Sequence, residues 1–341
     1  MKPARRGNDS DRARPLNPAG KSVFAGKSDF AGKFNIAGKF NFAGNFKLAN
    51  KWTLFLMAAP GFIVIVLFSF IPLFGWSYAF FNFKPGIPLS ETPFVGLKFF
   101  RMAIADPELR SVLRNTLVMS FLFILTSPLS LIFAIMISET PGKRFRKFSQ
   151  VTTTLPHFIS WVLVYSVFFT FFSNQGMINM LLQRLNMIEK PTMLLANADI
   201  AWFFQLGVGI WKGMGWGAII YLAAIAGIDL ELYDAAAVDG AGRLRKIIHV
   251  TVPGIAETYI VLLLLSIGSI LSNGFEQYYV FINPLVASKL QVLDYYLYRV
   301  GLEMNSFSFS TAMGMSKTII SVILLFTANF ISKKIRDNPI I

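Results

Sequence analysis

The 341-residue chain holds few side chains suited to covalent chemistry. It has no cysteine, which excludes disulfides, thiolate metal sites and cysteine nucleophiles. Its two histidines, His157 and His249, are far apart in sequence and form neither a ligand set nor a catalytic set. No Ser/His/Asp or paired-carboxylate arrangement recurs at a usable spacing. We therefore assign no catalytic residue, no metal site and no enzymatic activity. Two strings, Gly20-Lys21-Ser22 and Gly26-Lys27-Ser28, look like the end of a phosphate-binding loop. That loop also requires a glycine five residues earlier, where this chain has Pro15 and Lys21, and a preceding apolar strand, which is missing. No nucleotide cofactor is expected on this chain.

Two other groups of residues carry information. The first is the run Asp229 to Pro253. Asp229 is placed to cap a short helix, because its carboxylate accepts from free N–H groups at a helix start. The run 230–239 is alanine-rich. Gly240 is placed to take the left-handed conformation that ends a helix. A second helix follows through Arg243, Arg245 and Lys246, and Pro253 closes it. Such a helix–glycine–helix unit exposes small alanines between acids on a loop too short to have its own core, which implies docking onto a partner.

The second group is polar residues in or beside apolar runs. Lys212 lies deep in one run, where an ammonium costs roughly 2.5–3.5 kcal/mol on insertion scales. It must face a cavity, a carboxylate or the bundle interior, so a role in a solute pathway and a structural ion pair both remain open. Trp211 and Trp216 flank it; indole faces suit sugar rings, and the ammonium would suit an acidic sugar. Lys317 is nearer the end of its run; it is a further candidate for the pathway, or its stem snorkels outward. Glu276 and Gln277 are expected at a span's outer end, bonding a sugar hydroxyl or a binding protein, or simply solvated. Gly209, Gly213 and Gly217 recur every fourth residue, which makes a face for close helix packing.

The elements that position these residues follow from composition. The chain is 54% hydrophobic and 15% charged, with 35 phenylalanines, and its mean hydropathy is +0.55. A soluble domain carries about 25% charged residues, so this is an all-α membrane protein. A spanning helix needs roughly 20 mostly apolar residues. Six such runs are expected near 53–74, 115–138, 152–172, 199–225, 257–275 and 310–332. With the N-terminus inside, 21 of the 32 Lys and Arg fall on the inner side and nine on the outer. The bias places both termini and the 229–253 loop in the cytoplasm. Residues 1–51 form a basic arm, 52–332 the transmembrane domain and 333–341 a cytoplasmic tail. The arm repeats AGKSVF, AGKSDF, AGKFNI, AGKFNF and AGNFKL. It is expected to be disordered or, through interleaved Lys and Phe, to lie on the lipid surface. The net charge of +14 lies mainly between apolar runs, so no nucleic-acid partner is expected.

The 229–253 loop resembles the EAA loop of ABC importer permeases, whose signature reads Glu-Ala-Ala, two residues, Asp-Gly-Ala, and later an aromatic, Ile and Leu-Pro. Ala235, Ala236, Asp239, Gly240, Ala241 and Pro253 match in identity and spacing, with Asp234 in place of the Glu, Ile247 of the aromatic, Val250 of Ile and Val252 of Leu. Phe94-Val95-Gly96-Leu97, Trp211 to Trp216, Phe275-Glu276-Gln277 and Asn283-Pro284 extend the likeness to the maltose-permease-like sugar family and its oligosaccharide branch. The resemblance implies a permease subunit in the bacterial cytoplasmic (inner) membrane, paired with a second permease as a heterodimer. It implies two ATPase subunits, which hold ATP and Mg, docked at this loop, and an extracellular solute-binding protein that delivers an oligosaccharide. The competing reading is an ion-coupled secondary transporter. Such proteins show repeats between halves and intramembrane carboxylates; neither is seen in this sequence.

Overall fold

The computed structural model describes residues 50–336. The repeat arm and its two phosphate-loop look-alikes lie outside the described residues, as do the last five residues of the tail. The described chain is helical, and the one β-bridge among the described residues joins Phe81 and Phe94. Six helical stretches are long and apolar enough to cross a membrane: Trp52–Phe80, Pro107–Glu139, Trp161–Arg184, Ala201–Ala226, Arg243–Gly268 and Phe307–Phe330. They are numbered one to six below. The chain divides into a unit ending at Ile65 and a unit from Val66 onward. Everything that follows concerns the second.

The short helices between spans matter more than the sequence implied. They are α1 (Lys98–Ala105), α2 (Lys143–Thr154), α3 (Leu230–Val238), α4 (Glu276–Phe281) and α5 (Leu293–Tyr298). Two spans, the third and the fifth, depart most from expectation, and for local reasons. The third span starts at Trp161 rather than near Thr152, which belongs to α2. Pro156 opens a tight 3₁₀ turn, Leu155–Phe158, and Ser160 then caps a new helix by accepting from Leu163 N–H. The fifth span begins at Arg243 and ends at Gly268, well before Phe275. Pro253 does not close a separate helix; the chain stays helical through it, with a wider π turn at Ile247–Thr251 immediately before. Proline clashes with the carbonyl one turn back, and the wider turn moves that carbonyl away.

Residues 269–306 leave the fifth span and fold back onto the bundle. Their backbone is satisfied by polar side chains of distant helices, as a non-helical segment in an apolar bundle requires. Thr116 Oγ1 accepts from Leu293 N–H at 2.8 Å, and Asn115 Nδ2 donates to the carbonyls of Ser288 and Gln291 at 3.0 and 3.2 Å. Trp202 Nε1 donates to the Lys289 carbonyl at 2.8 Å. One apolar cluster joins Val112, Leu271, Leu293, Tyr296 and Phe309. Another joins Met119, Val164, Val208, Tyr278 and Val286. Together they fix this segment against spans two, three, four and six.

Candidate functional site

The loop between the fourth and fifth spans folds as a helix and a glycine turn, and the second helix of the unit is the start of the fifth span. Asp229 Oδ1 accepts from Glu231 N–H at 3.0 Å and starts α3. Gly240 ends it with φ +74. Ala241 N–H bonds the Ala236 carbonyl at 2.9 Å and Gly240 N–H bonds the Ala237 carbonyl at 3.1 Å, the pair of bonds that defines a Schellman cap. Two contacts brace the unit. Tyr233 Oη and Thr251 Oγ1 lie 2.9 Å apart, tying α3 to the helix that follows. Arg243 pairs with Glu139 at the end of the second span, Nε to Oε2 3.2 Å, and also donates to the Glu139 carbonyl.

Asp234, Ala235, Asp239 and Gly240 are exposed on this unit, while Ala236, Ala241 and Ile247 are half-buried beneath it. Val238 is 89% exposed and Leu230 and Leu244 at least 70%. Pro253 is exposed within the fifth span, ten residues after its start at Arg243. The loop therefore presents acids, alanines and unpaired apolar side chains on a braced frame.

The polar residues of the apolar runs are placed differently from expectation. Lys212 is 7% exposed and forms no ion pair among the described residues. Its ammonium donates to the carbonyls of Pro156, His157 and Ile159 at 3.0, 2.7 and 2.6 Å, and lies 5.1 Å from the Trp161 ring centre. It closes the turn between α2 and the third span and has little left for a solute. Trp216 stacks on His157, with ring centres 4.5 Å apart, and Trp211 packs edge-on against Phe168 at 5.5 Å. The two indoles thus belong to different packing contacts and do not form one sugar clamp.

Lys317 does not snorkel. It pairs with Asp294 of α5, whose other carboxylate oxygen accepts from Gly274 N–H at 3.0 Å. Gln277 is buried and donates to the backbone and side-chain oxygens of Gln205 at 3.0 and 2.8 Å. Glu276 is exposed on α4. Gly209 and Gly217 are packing glycines, against Phe123 and Ser130, but nothing approaches Gly213. The tightest contact in the fourth span falls off that stripe, at Gly215, where an added Cβ would sit 2.1 Å from the Thr153 carbonyl oxygen.

One polar surface escaped the sequence reading. A cavity of about 310 Å³ is lined by Ser120, Phe123, Ile124, Ser266, Ser269, Ser272 and Asn273. Asn273 Nδ2 donates to Ser120 Oγ at 2.8 Å, and its Oδ1 is buried with no bonding partner. A buried acceptor left unpaired is costly; this oxygen has no exposed surface, so the serine hydroxyls are the polar groups the cavity offers a solute. Its sequence signal is a serine every third residue, Ser266, Ser269 and Ser272, at the end of an otherwise apolar run.

Residues 109–337 match the family described as the binding-protein-dependent transport system inner membrane component. The chain belongs to that family. It is thus a multi-pass inner-membrane permease subunit of a binding-protein-dependent ABC transporter, with ATP hydrolysis on a separate subunit. Protein LplB of Bacillus subtilis (strain 168) is 39% identical over 289 residues, covering 84% of this chain and 89% of that relative. The polygalacturonan/rhamnogalacturonan transport system permease protein YteP of the same organism is 38% identical over 291 residues, with the same coverage. Among solved structures, a bacterial ABC transporter involved in the import of the acidic polysaccharide alginate superposes with TM-score 0.76 at 31% identity, covering 84% of this chain and 96% of the other. A second structure of the alginate transporter, in complex with an alginate pentasaccharide-bound periplasmic protein, matches with the same score and identity.

Proposed function

We propose that this chain forms one half of the translocation pathway of an ATP-driven oligosaccharide importer. The observation that carries the reading is the exposed helix–glycine–helix unit at 229–252. It is capped at both turns and braced to the second span, and its acids, alanines and apolar side chains are left outward. Two ATPase subunits, carrying ATP and Mg, dock on this unit and on its counterpart in a second, different permease. Asp234, Ala235, Asp239 and Gly240 supply the contact surface. Ala236, Ala241 and Ile247 shape it from below, and Pro253 lies at its far end, within the fifth span. Closure of the ATPases pushes the loop, and the spans switch between two arrangements as rigid bodies. The loop and both termini face the cytoplasm. Residues 52–332 form the permease domain.

On the opposite side, an extracellular binding protein delivers the sugar. The polygalacturonan, rhamnogalacturonan and alginate named for the relatives support a carbohydrate released from a polysaccharide. The serine-lined cavity supports hydroxyl recognition along the way. Lys212 no longer argues for an acidic sugar, because three carbonyls occupy its ammonium; the acidic polysaccharides named for the relatives are what now support that charge.

Purification of the tagged chain from its native membrane tests the docking assignment. The wild-type chain should bring ATP-hydrolysing activity with it, and Asp234→Lys combined with Gly240→Pro should release that activity while the permease stays in the membrane. ATPase retained by the double variant would remove the loop as the docking site.

A further inference from the structure

Neither the docking loop nor the serine-lined cavity uses a cluster of four aromatic rings between the fifth and sixth spans. Phe275 sits at the N-cap of α4 and Tyr279 within it, and Tyr295 and Tyr298 come from α5. Ring centres lie 4.6 Å apart for Phe275–Tyr298, 4.9 Å for Phe275–Tyr279, 5.5 Å for Tyr279–Tyr298 and 6.4 Å for Tyr279–Tyr295. These separations are those of mutually supporting aromatic pairs. The cluster is not core. Tyr279 is 45% exposed and the other three rings are half-buried.

Its chemistry sets it apart from the rest of the exposed apolar surface. The spans expose mainly Phe, Leu, Ile and Val, with Trp211 and Trp216 on the fourth. This patch instead exposes phenols, and it is flanked in sequence by Glu276 and Glu303, both exposed. Carboxylates are costly in hydrocarbon, so the patch is built for a polar ligand that also has an apolar face.

The two halves are held together in advance. Asp294 precedes Tyr295, and Gly274 precedes Phe275. Asp294 accepts from Gly274 N–H at 3.0 Å and pairs with Lys317 of the sixth span. Gly274 takes φ +83, which turns the chain sharply into α4. One carboxylate thereby sets the distance between the ring pairs, and a prearranged surface loses little freedom on binding.

Segments between successive spans alternate sides of the membrane. Residues 269–306 therefore lie opposite the 229–242 segment where the ATPase docks, on the side from which solute arrives.

The geometry points to a carbohydrate-receiving platform, in which Phe275, Tyr279, Tyr295 and Tyr298 stack the C–H faces of pyranose rings while phenol hydroxyls and Glu276 bond their hydroxyl rims. This rests on the oligosaccharide reading above. A pyranose presents a flat C–H face bordered by hydroxyls, and tyrosine offers the matching combination of rigid ring and polar tip at low entropic cost. The ring face is common to neutral and uronic sugars, so the platform acts before charge is read.

The test is uptake by cells carrying the complete transporter, with radiolabelled xylo-oligosaccharides and oligogalacturonides as the neutral and acidic probes. Tyr279→Ala and Tyr298→Ala should each raise the half-saturating concentration of the transported probe about tenfold, the scale of one lost ring contact. Tyr279→Phe, which keeps the ring, should recover most of that loss. Co-purification of the ATPase identifies any variant that has failed to fold or assemble. Wild-type uptake in both alanine variants overturns the platform. So does loss of uptake matched by loss of ligand-free binding protein in a pull-down, which would make the patch a protein dock. ATP-dependent uptake of neither probe by the wild type takes down the oligosaccharide reading and the platform together.

Discussion

Lys212 donates to the backbone carbonyl of Ile159 at 2.6 Å, from within the fourth span to the chain just ahead of the third. The same ammonium also holds the carbonyls of Pro156 and His157. Charge-assisted bonds of this kind contribute about 1.5–3 kcal/mol each, enough to offset the cost of a buried ammonium. Lys212→Met should lower stability by about 2–4 kcal/mol, since the freed carbonyls are left without partners. Thermal unfolding in detergent checks this. Uptake should fall only in proportion to folded protein, equally for neutral and acidic sugars. A selective loss of acidic-sugar uptake at unchanged stability would return Lys212 to the pathway.

What was legible in the sequence was local. The docking loop could be read because Asp229, Gly240 and the alanines between them act on their own backbone. The six spans could be read because lipid demands long apolar runs. The partners of Lys212 could not, because they are carbonyls of a turn more than fifty residues away, and a carbonyl has no sequence signature. Helices α4 and α5 were missed for a related reason. Thr116 and Trp202, on distant spans, satisfy the backbone of the segment that holds them, so nothing within 269–306 announces its fold. Lys317 was read as a lone charge because Asp294 pairs with it through that fold.

Gly215 is the fourth-span glycine most closely approached, by α2, although it lies off the every-fourth-residue stripe. An added Cβ there would meet the Thr153 carbonyl at 2.1 Å and the Thr154 nitrogen at 2.8 Å, and both are backbone atoms. Gly213→Ala meets nothing within 4 Å. Gly215→Ala should therefore cost about 3 kcal/mol or more, the upper range for overpacking, while Gly213→Ala should be close to neutral. Yield and melting temperature of the two purified variants measure the difference. Equal behaviour would mean that α2 does not cross the fourth span here.

The Tyr296 phenol is buried and donates to Asp106 Oδ2 at 2.6 Å. Burial first, and then the bond to Asp106, hold its pKa well above the usual tyrosine value. In the unfolded chain the phenol ionises near pH ~10. Above that pH the unfolded state binds fewer protons than the folded one, so this group's contribution to stability is full below pH ~10 and declines as pH rises past it. Tyr296→Phe should make the alkaline fall in melting temperature shallower. A fall as steep as in the wild type would show that the Tyr296 proton plays no part in it.

Arg243 joins the docking loop to the second span through Glu139. The pair is largely exposed, and exposed pairs contribute roughly 0–1 kcal/mol. Arg243→Ala should thus leave the melting temperature nearly unchanged. Its effect should appear in coupling, because the loop then loses one of its two braces, with Tyr233 and Thr251 holding alone. In proteoliposomes containing the whole complex, the variant should hydrolyse more ATP per sugar imported than the wild type. Glu139→Ala should reproduce the effect only partly, because Arg243 also donates to the Glu139 backbone carbonyl, which that substitution leaves in place. An unchanged ratio in Arg243→Ala would show that the push from the ATPase travels through the fifth span without help from the second.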